Sequence, residues 1–204
     1  MTGSDLIKAD GNPEGKGVSS VMSDWHATEP RGVVAKPQRQ LLGELFVSML
    51  VLSASFKYRP VPGKLNYLYW LDEQLSLSLI APQEWSQYHR DNFVGTCVLN
   101  RDMTWSIAPS EELTENSSIT QVIRQYLAAF SEMLNTKLTL EEILPFHVSS
   151  LSYYQRLYAS ALSRSVCVAL ARGEQTAISC NDWLQQLSLN ELPARMGFDP
   201  SPSN

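Results

Sequence analysis

The sequence is poor in charged residues and has no excess of basic ones. Only 18% of the 204 residues are charged, below the rough quarter that is usual for soluble domains, and the net charge is -5. A nucleic-acid protein needs a basic face to replace counterions, so we expect no nucleic-acid partner. A weakly charged surface resists association poorly, which favours a homo-oligomer or a protein partner.

Cysteine and long apolar runs are also scarce. The three cysteines form no CxxC pair and are odd in number, which predicts free thiols in a reducing compartment. The longest apolar run, residues 41–52, contains Gly43 and Glu44 and is too short to span a membrane. The opening residues carry no apolar core of signal-peptide type. We therefore expect no disulfide, no membrane association and a cytoplasmic location.

Motifs for catalysis or metal binding are missing as well. The three histidines, His26, His89 and His147, occur in no HxxxH or HExxH arrangement, and no Cys or Asp cluster has metal-ligand spacing. Neither a GxSxG elbow nor a P-loop is present. The sequence predicts no catalytic residue, no metal and no cofactor. It leaves open whether the protein is an enzyme.

The stretch from Phe56 to Ile107 has the pattern of a sheet. It alternates β-branched or aromatic residues with small polar ones between turn-forming residues, as half-buried antiparallel strands do. Four to five short strands are expected, the first of them at Phe56–Arg59.

Two hairpins can be placed within this stretch. A turn at Asp72-Glu73 pairs Leu68 with Leu77 and Trp70 with Leu75, and a slip of one residue would mix polar with apolar side chains. One face then carries Leu68, Trp70, Leu75, Leu77 and Leu79, and the other carries Tyr67, Tyr69, Ser76 and Ser78. The second hairpin turns at residues 100–102 and sends Met103, Trp105 and Ile107 to one side. The core face of its first strand, residues 93–99, stays ambiguous because both faces are apolar.

The same stretch carries a resemblance to a known family. The runs PGKLNYLYW, SLIAPQEW and FVGTCVLNRDMTWSI resemble the core of the family called domain of unknown function 2452, and Gly11-Asn12-Pro13 is similar to its opening. The family pattern has a histidine three positions after PGK, where this chain has Tyr67. The resemblance implies a shared fold and no particular chemistry.

Helical periodicity flanks the sheet on both sides. A helix is predicted from Pro37 to residue 54, with an apolar stripe broad enough to cover the sheet. After an acidic linker, apolar spacing predicts a helix from about residue 118 to 134. Capping residues at Thr139, Ser152 and Ser179 predict three further helices. The helix after Ser152 should have about twenty residues and end at Gly173, and the helix after Ser179 should span residues 182–189.

These elements define an α+β fold: an antiparallel β-meander of four to five strands packed by one helix, followed by a three- or four-helix C-terminal half. We divide the chain into a flexible N-terminal arm (residues 1–36), helix plus sheet (37–107), a helical half packed on the sheet (108–192) and a disordered tail (193–204). Trp25 is expected to anchor the arm.

Two candidate sites follow from the pattern. A pocket between the sheet and the C-terminal helices would be bordered by His147, Tyr153 and Arg156. The face with Tyr67, Tyr69, Ser76 and Ser78 would meet a protein partner, a second copy of the chain or the helical half itself. The absence of a catalytic constellation favours a non-enzymatic binding or scaffold domain, with a small-molecule-binding domain or enzyme as the alternative.

Overall fold

The structure, a computed structural model, describes residues 18–113, 118–144 and 151–186. Within these ranges a four-stranded antiparallel sheet packs against helices, which confirms the predicted α+β class. The helices are α1 (Val18–Ala27), α2 (Gln38–Leu52), α3 (Gln87–Asp91), α4 (Ser118–Leu134), α5 (Leu140–Ile143), α6 (Tyr153–Arg172) and α7 (Cys180–Gln186). The strands are β1 (Leu65–Leu71), β2 (Gln74–Ser78), β3 (Phe93–Leu99) and β4 (Trp105–Pro109).

The sheet has the strand order β2-β1-β3-β4, and its first hairpin has the predicted register. Trp70 lies opposite Leu75 and Leu68 opposite Leu77. Asp72 and Glu73 both have positive φ, 49° and 61°, as the two central residues of a tight hairpin turn require. The alternation of apolar and polar residues was therefore sufficient to fix this pairing.

A bulge decides which residues of β3 face the core. Leu68 lies opposite Gly95 and Tyr69 opposite Phe93, so Val94 is an extra residue between the two pairs. Val94 is consequently buried together with Cys97 and Leu99. Gly95 sits against β4 so closely that a Cβ there would meet the Ala108 carbonyl oxygen at 2.6 Å. This close approach requires glycine.

Three details of the sheet differ from the prediction. The strands do not form a simple meander, because β1 and not β2 is the neighbour of β3. Phe56–Arg59 is not a strand, because pairing stops after a single bridge between Ser55 and Ser76, and the chain then runs into Pro60, which has no N–H to donate. Leu79 does not share the buried face: it is 59% exposed, because β2 ends one residue earlier at Ser78.

Helix α2 is buried over most of its surface and lies against β4, α6 and α4. The Ser48 hydroxyl accepts a hydrogen bond from the Trp105 N–H of β4 over 2.8 Å. Phe46 meets Phe130 of α4 edge-on, with ring centroids 5.4 Å apart. The helix therefore joins the sheet to the helical half, and Leu68, Leu75 and Leu77 belong to the same core.

The C-terminal helices begin close to where their caps predict. The Thr139 hydroxyl and the Glu142 carboxylate form the capping box of α5. Helix α6 is capped by Ser152 and Gln155 and ends before Gly173. Helix α7 begins at Cys180, two positions before the predicted start, and residues 187–189 of the predicted helix lie outside the described residues.

The segment before α2 was predicted as an arm, and its described part contains helix α1. Asp24 of this helix is buried and accepts a hydrogen bond from Arg59 at 3.0 Å and one from the Tyr153 hydroxyl at 3.1 Å. These contacts tie α1 to both the sheet region and α6. Residues 1–17 and the predicted tail lie outside the described residues.

The described helices include none that combines the length and the apolar character needed to cross a bilayer. The three cysteines are free thiols, with Cys97 and Cys180 buried and Cys167 half-buried.

Candidate functional site

A groove runs between α6 and the segment that follows α1. Its volume is about 780 Å³. Trp25 and residues 29–33 supply one side and the outer face of α6 supplies the other. The lining residues are Trp25, Glu29, Pro30, Gly32, Val33, Leu144, Ser160, Ser163, Arg164, Cys167, Val168 and Arg172.

Arg164 is held in place from two directions. Its guanidinium carbon lies 4.2 Å from the centroid of the Trp25 ring, and its Nη2 donates to the Thr28 carbonyl oxygen over 3.2 Å. A guanidinium has five N–H donors, so most of its donor capacity is left over. Its Nε is buried and has no hydrogen-bond partner in the described part of the chain. Arg164 is thus a fixed cation with spare donors.

The charge on Arg164 is only partly offset by its surroundings. Burial lowers the pKa of Arg164, and the Glu29 carboxylate acts in the opposite direction. No carboxylate of the described residues comes within ion-pair distance of the guanidinium, since its polar contact is to a main-chain oxygen. The group stays protonated at any physiological pH because arginine starts from so high a pKa.

Arg172 lies two turns further along α6 and, like Arg164, donates to a main-chain carbonyl oxygen. Its Nη1 donates to the Val33 carbonyl oxygen, at the other end of the segment that Arg164 contacts. Among the described residues it too forms no ion pair with a carboxylate. Eight helical positions correspond to about 12 Å along the helix axis. The two arginines therefore place positive charge at two separate points of the groove.

The surface between these arginines is mainly apolar. Val168, four positions from each of them, is 40% exposed, and Trp25 is 41% exposed. Leu144 and Val33 also line the groove, although only 8% and 4% of their surface is exposed. The Ser160 and Ser163 hydroxyls donate to carbonyls one turn earlier in α6, at 2.9 and 3.0 Å. The serines therefore contribute little free polarity to the groove.

A second cavity of about 500 Å³ lies on the other side of the same segment and shares Glu29 and Gly32 with the groove. Arg31 and Arg101 line it, and the Arg31 N–H donates to the Arg101 carbonyl oxygen over 2.9 Å. Gly32 has a φ of +70°, a conformation that favours glycine and lets the chain turn between the two cavities. Arg31 lies within this short segment, and Arg101, Arg164 and Arg172 lie around it, in a protein whose net charge is negative.

The predicted pocket at His147, Tyr153 and Arg156 is placed differently by the structure. His147 lies outside the described residues. Tyr153 is half-buried at the start of α6, where it donates to Asp24. Arg156 is exposed on the same helix and does not line the groove.

The predicted interaction face is partly covered by the connection between the hairpins. Tyr69 is fully buried: its hydroxyl donates to the Ile80 carbonyl oxygen over 2.9 Å, and its ring meets Trp85 edge-on at 5.2 Å. Trp85 in turn stacks on His89, with centroids 3.9 Å apart. Burial raises the pKa of Tyr69 to about 12. Tyr67, Ser76 and Ser78 are half-buried.

Sequence reasoning did not identify the groove as a site. It singled out only Trp25, as an anchor of the arm. Arg156, Arg164 and Arg172 recur every eight residues along one helix, but a step of eight residues rotates each arginine by about 80° around the helix axis, so their spacing indicates no common face. The missing information was that α1 and the segment after it contact two of the three: Trp25 and Thr28 contact Arg164, and Val33 contacts Arg172.

Within the described ranges, no three His, Cys, Asp or Glu side chains come together in a way that could hold a metal ion. The groove is lined by two arginines, Glu29, Cys167, apolar side chains and two serines whose hydroxyls donate to helix carbonyls.

The fold and groove together define an α+β domain with a helical C-terminal half and a cationic, partly apolar groove. Residues 36–129 match the model of the family described as Protein of unknown function (DUF2452), which confirms the resemblance found in the sequence. No curated protein and no solved structure matches the chain. Trp25, Arg164 and Arg172 lie outside the matched segment.

Proposed function

We propose that this protein is a non-enzymatic binding domain that takes an anionic ligand in the groove between α6 and the segment after α1. The observation that carries the proposal is the state of Arg164. Its guanidinium is fixed by Trp25 and the Thr28 carbonyl, and it meets no carboxylate partner among the described residues. A half-buried cation of this kind is well placed to pair with an incoming anion.

Pre-organisation supports this proposal. Binding costs conformational entropy for every side chain that must be ordered, about 0.5–1.5 kcal/mol for a long one. Arg164 has already lost that freedom through its contacts with Trp25 and Thr28. An arginine fork also matches the two oxygens of a carboxylate or phosphate. The groove's volume of about 780 Å³ falls in the rough range of 300–1,000 Å³ that ligand pockets occupy.

The non-enzymatic part of the proposal rests on the chemistry of the lining. Nucleophilic catalysis needs a hydroxyl or thiol beside a general base. The Ser160 and Ser163 hydroxyls donate to helix carbonyls, and the described lining contains no histidine. Burial raises the pKa of the Cys167 thiol, which disfavours its nucleophilic form.

A thermal-shift screen against phosphate, sulfate, citrate and a set of carboxylates tests the proposal. A ligand at a hundred times its Kd should stabilise the native state by about 2.7 kcal/mol. We expect anions to raise the Tm of the wild type and to have little effect on Arg164→Gln. Arg156→Gln is the matched control, since it removes an exposed arginine of the same helix outside the groove.

The ligand-induced change in Tm, and not the Tm itself, is the quantity to compare, because Arg164→Gln also loses its contact with Trp25. The proposal fails if no anion stabilises the wild type, or if the two variants respond alike.

A further inference from the structure

We infer that the ligand of this groove is a dianion whose two anionic groups are separated by an apolar spacer. The inference rests on the proposed function and adds the ligand class. Arg164 and Arg172 lie eight positions apart on α6, about 12 Å along the axis, and each is anchored on a different main-chain carbonyl. They offer two sites for anions and not one shared site.

The surface between the arginines sets the chemistry of the spacer. Val168 lies midway along the helix between them, and Trp25, Val33 and Leu144 also line the groove. A polar or branched, heavily hydrated spacer would leave its groups unpaired against this apolar surface, at a cost of desolvation. A polymethylene chain would instead bury apolar surface, and each methylene buried should strengthen binding about fourfold.

A single anionic group would leave one arginine without a partner. A compact anion such as phosphate or sulfate can pair with Arg164 but cannot reach Arg172 at the same time. A monocarboxylate with a long chain would place its methyl end near the second cation. A dianion of matching length satisfies both guanidiniums and the apolar surface together, which is why α,ω-dicarboxylates are the probe class we choose.

Substitution of Glu29 should change the affinity for a dianion in the direction opposite to substitution of the arginines. It is a carboxylate in the lining and is close enough to raise the pKa of Arg164. It therefore competes with an anionic ligand for the charge of that arginine. Glu29→Gln should bind a dianion more tightly than the wild type, whereas Arg164→Gln and Arg172→Gln should bind it more weakly.

The experiment is calorimetric titration of the full chain with succinate, suberate, sebacate and dodecanedioate, each beside the monocarboxylate of equal carbon number. We expect affinity to rise with length to a maximum among the longer diacids. At that length the diacid should bind about tenfold or more tighter than its monocarboxylate, the gain expected for one further charge-assisted contact. Arg172→Gln should abolish that difference between the diacid and its monocarboxylate.

Cys167 supplies a readout confined to the groove, because it is half-buried in the lining while Cys97 and Cys180 are buried elsewhere. A bound diacid should slow the alkylation of Cys167. If monocarboxylates and diacids of equal length bind equally in wild type and Arg172→Gln, the inference is overturned and the proposed function stands. If no carboxylate binds or protects Cys167, both are overturned.

Discussion

The ammonium of Lys36 donates to the Asp102 carboxylate over 2.6 Å, joining two residues that are 66 positions apart in the sequence. Lys36 is buried, with 8% of its side chain exposed, and it also pairs with Glu44 of α2. Asp102 lies in the turn between β3 and β4, where it accepts hydrogen bonds from the Thr104 N–H and hydroxyl. One lysine thus ties the start of the domain to both α2 and the second hairpin.

Removing the lysine from this cluster should be strongly destabilising. Lys36→Met leaves two carboxylates facing each other with no cation between them, and breaking a buried ion pair in this way costs about 3–5 kcal/mol. Glu44→Gln is the matched control: it keeps the Lys36–Asp102 pair intact and should cost about 1 kcal/mol or less, since Glu44 is 25% exposed. Urea titration of both variants measures the difference. Equal losses would show that the cluster is not what holds these segments together.

The same cluster predicts how stability depends on pH in acid. Burial alone would raise the pKa of Asp102, but hydrogen bonds from Lys36 and Thr104 outweigh it, so that the pKa lies below its usual value. The unfolded chain takes up a proton at this position near pH 3.9, and the folded protein does so only at lower pH. The contribution of Asp102 is therefore complete above that pH and disappears as the pH falls through the folded pKa.

Unfolding free energies of wild type and Asp102→Asn between about pH 6 and about pH 3 test this dependence. The asparagine variant should be less stable near pH 6, and the gap between the two proteins should narrow as the pH falls. A gap that stays constant across the range would mean that the carboxylate has an ordinary pKa.

The contact between α2 and α4 gives a test of the core. Phe46 is 2% exposed and packs edge-on against Phe130. Phe46→Ala should cost about 3–5 kcal/mol, because the substitution leaves a cavity beside an existing space of about 240 Å³ lined by the same two rings. Met133→Ala, a partly buried change in the same lining, should cost less. A loss for Phe46→Ala under about 1 kcal/mol in urea titration would contradict the placement of α2.

The sequence was informative where a local pattern of residues is sufficient to predict the structure. The first hairpin followed from alternation at period two, because a slip would have moved Leu68 and Leu77 to the wrong face. Helix α6 followed from a capping box at Ser152 and a glycine just beyond its end. In both cases a few neighbouring residues carry the information, and no tertiary contact is needed to read it.

The sequence was uninformative where the structure depends on a distant contact. The hydrogen bond from Arg164 to Thr28 spans 136 positions, and nothing in the local pattern of either residue indicates the other. The bulge at Val94 could not be predicted for a related reason. Both faces of β3 are apolar, so the alternation of residues along the strand could not indicate which face is buried. The groove, which is built from such contacts, became visible only in three dimensions.

The three thiols should differ in reactivity. Burial raises the pKa of Cys97 and Cys167 and raises that of Cys180 to about 11, so none is activated. Exposure then decides the rates, and only Cys167 is half-buried. Iodoacetamide should add one label per native chain, at Cys167, and three labels in urea. Cys167→Ser is the control, and native labelling of that variant at Cys97 or Cys180 would contradict the burial of those thiols.

Substitutions of the two tyrosines of the predicted interaction face should differ strongly in their effect on the free energy of unfolding. Tyr69 is fully buried, donates to the Ile80 carbonyl oxygen and supports Trp85. Tyr69→Ser should therefore cost about 3–5 kcal/mol, and Tyr69→Phe about 1 kcal/mol for the lost hydrogen bond. Tyr67 is half-buried on the same face, so Tyr67→Ser should cost much less.

Urea titration measures these losses, and sedimentation velocity reports any self-association of the same samples. If Tyr67→Ser keeps the stability of the wild type but loses self-association, the exposed part of this face is an interface between copies of the chain. If its oligomeric state is unchanged, Tyr67 only packs against Phe93, whose ring lies 6.4 Å away. Should Tyr69→Ser prove as stable as Tyr67→Ser, the segment with Trp85 and His89 would not cover Tyr69 in solution, and the face would be open over its full width.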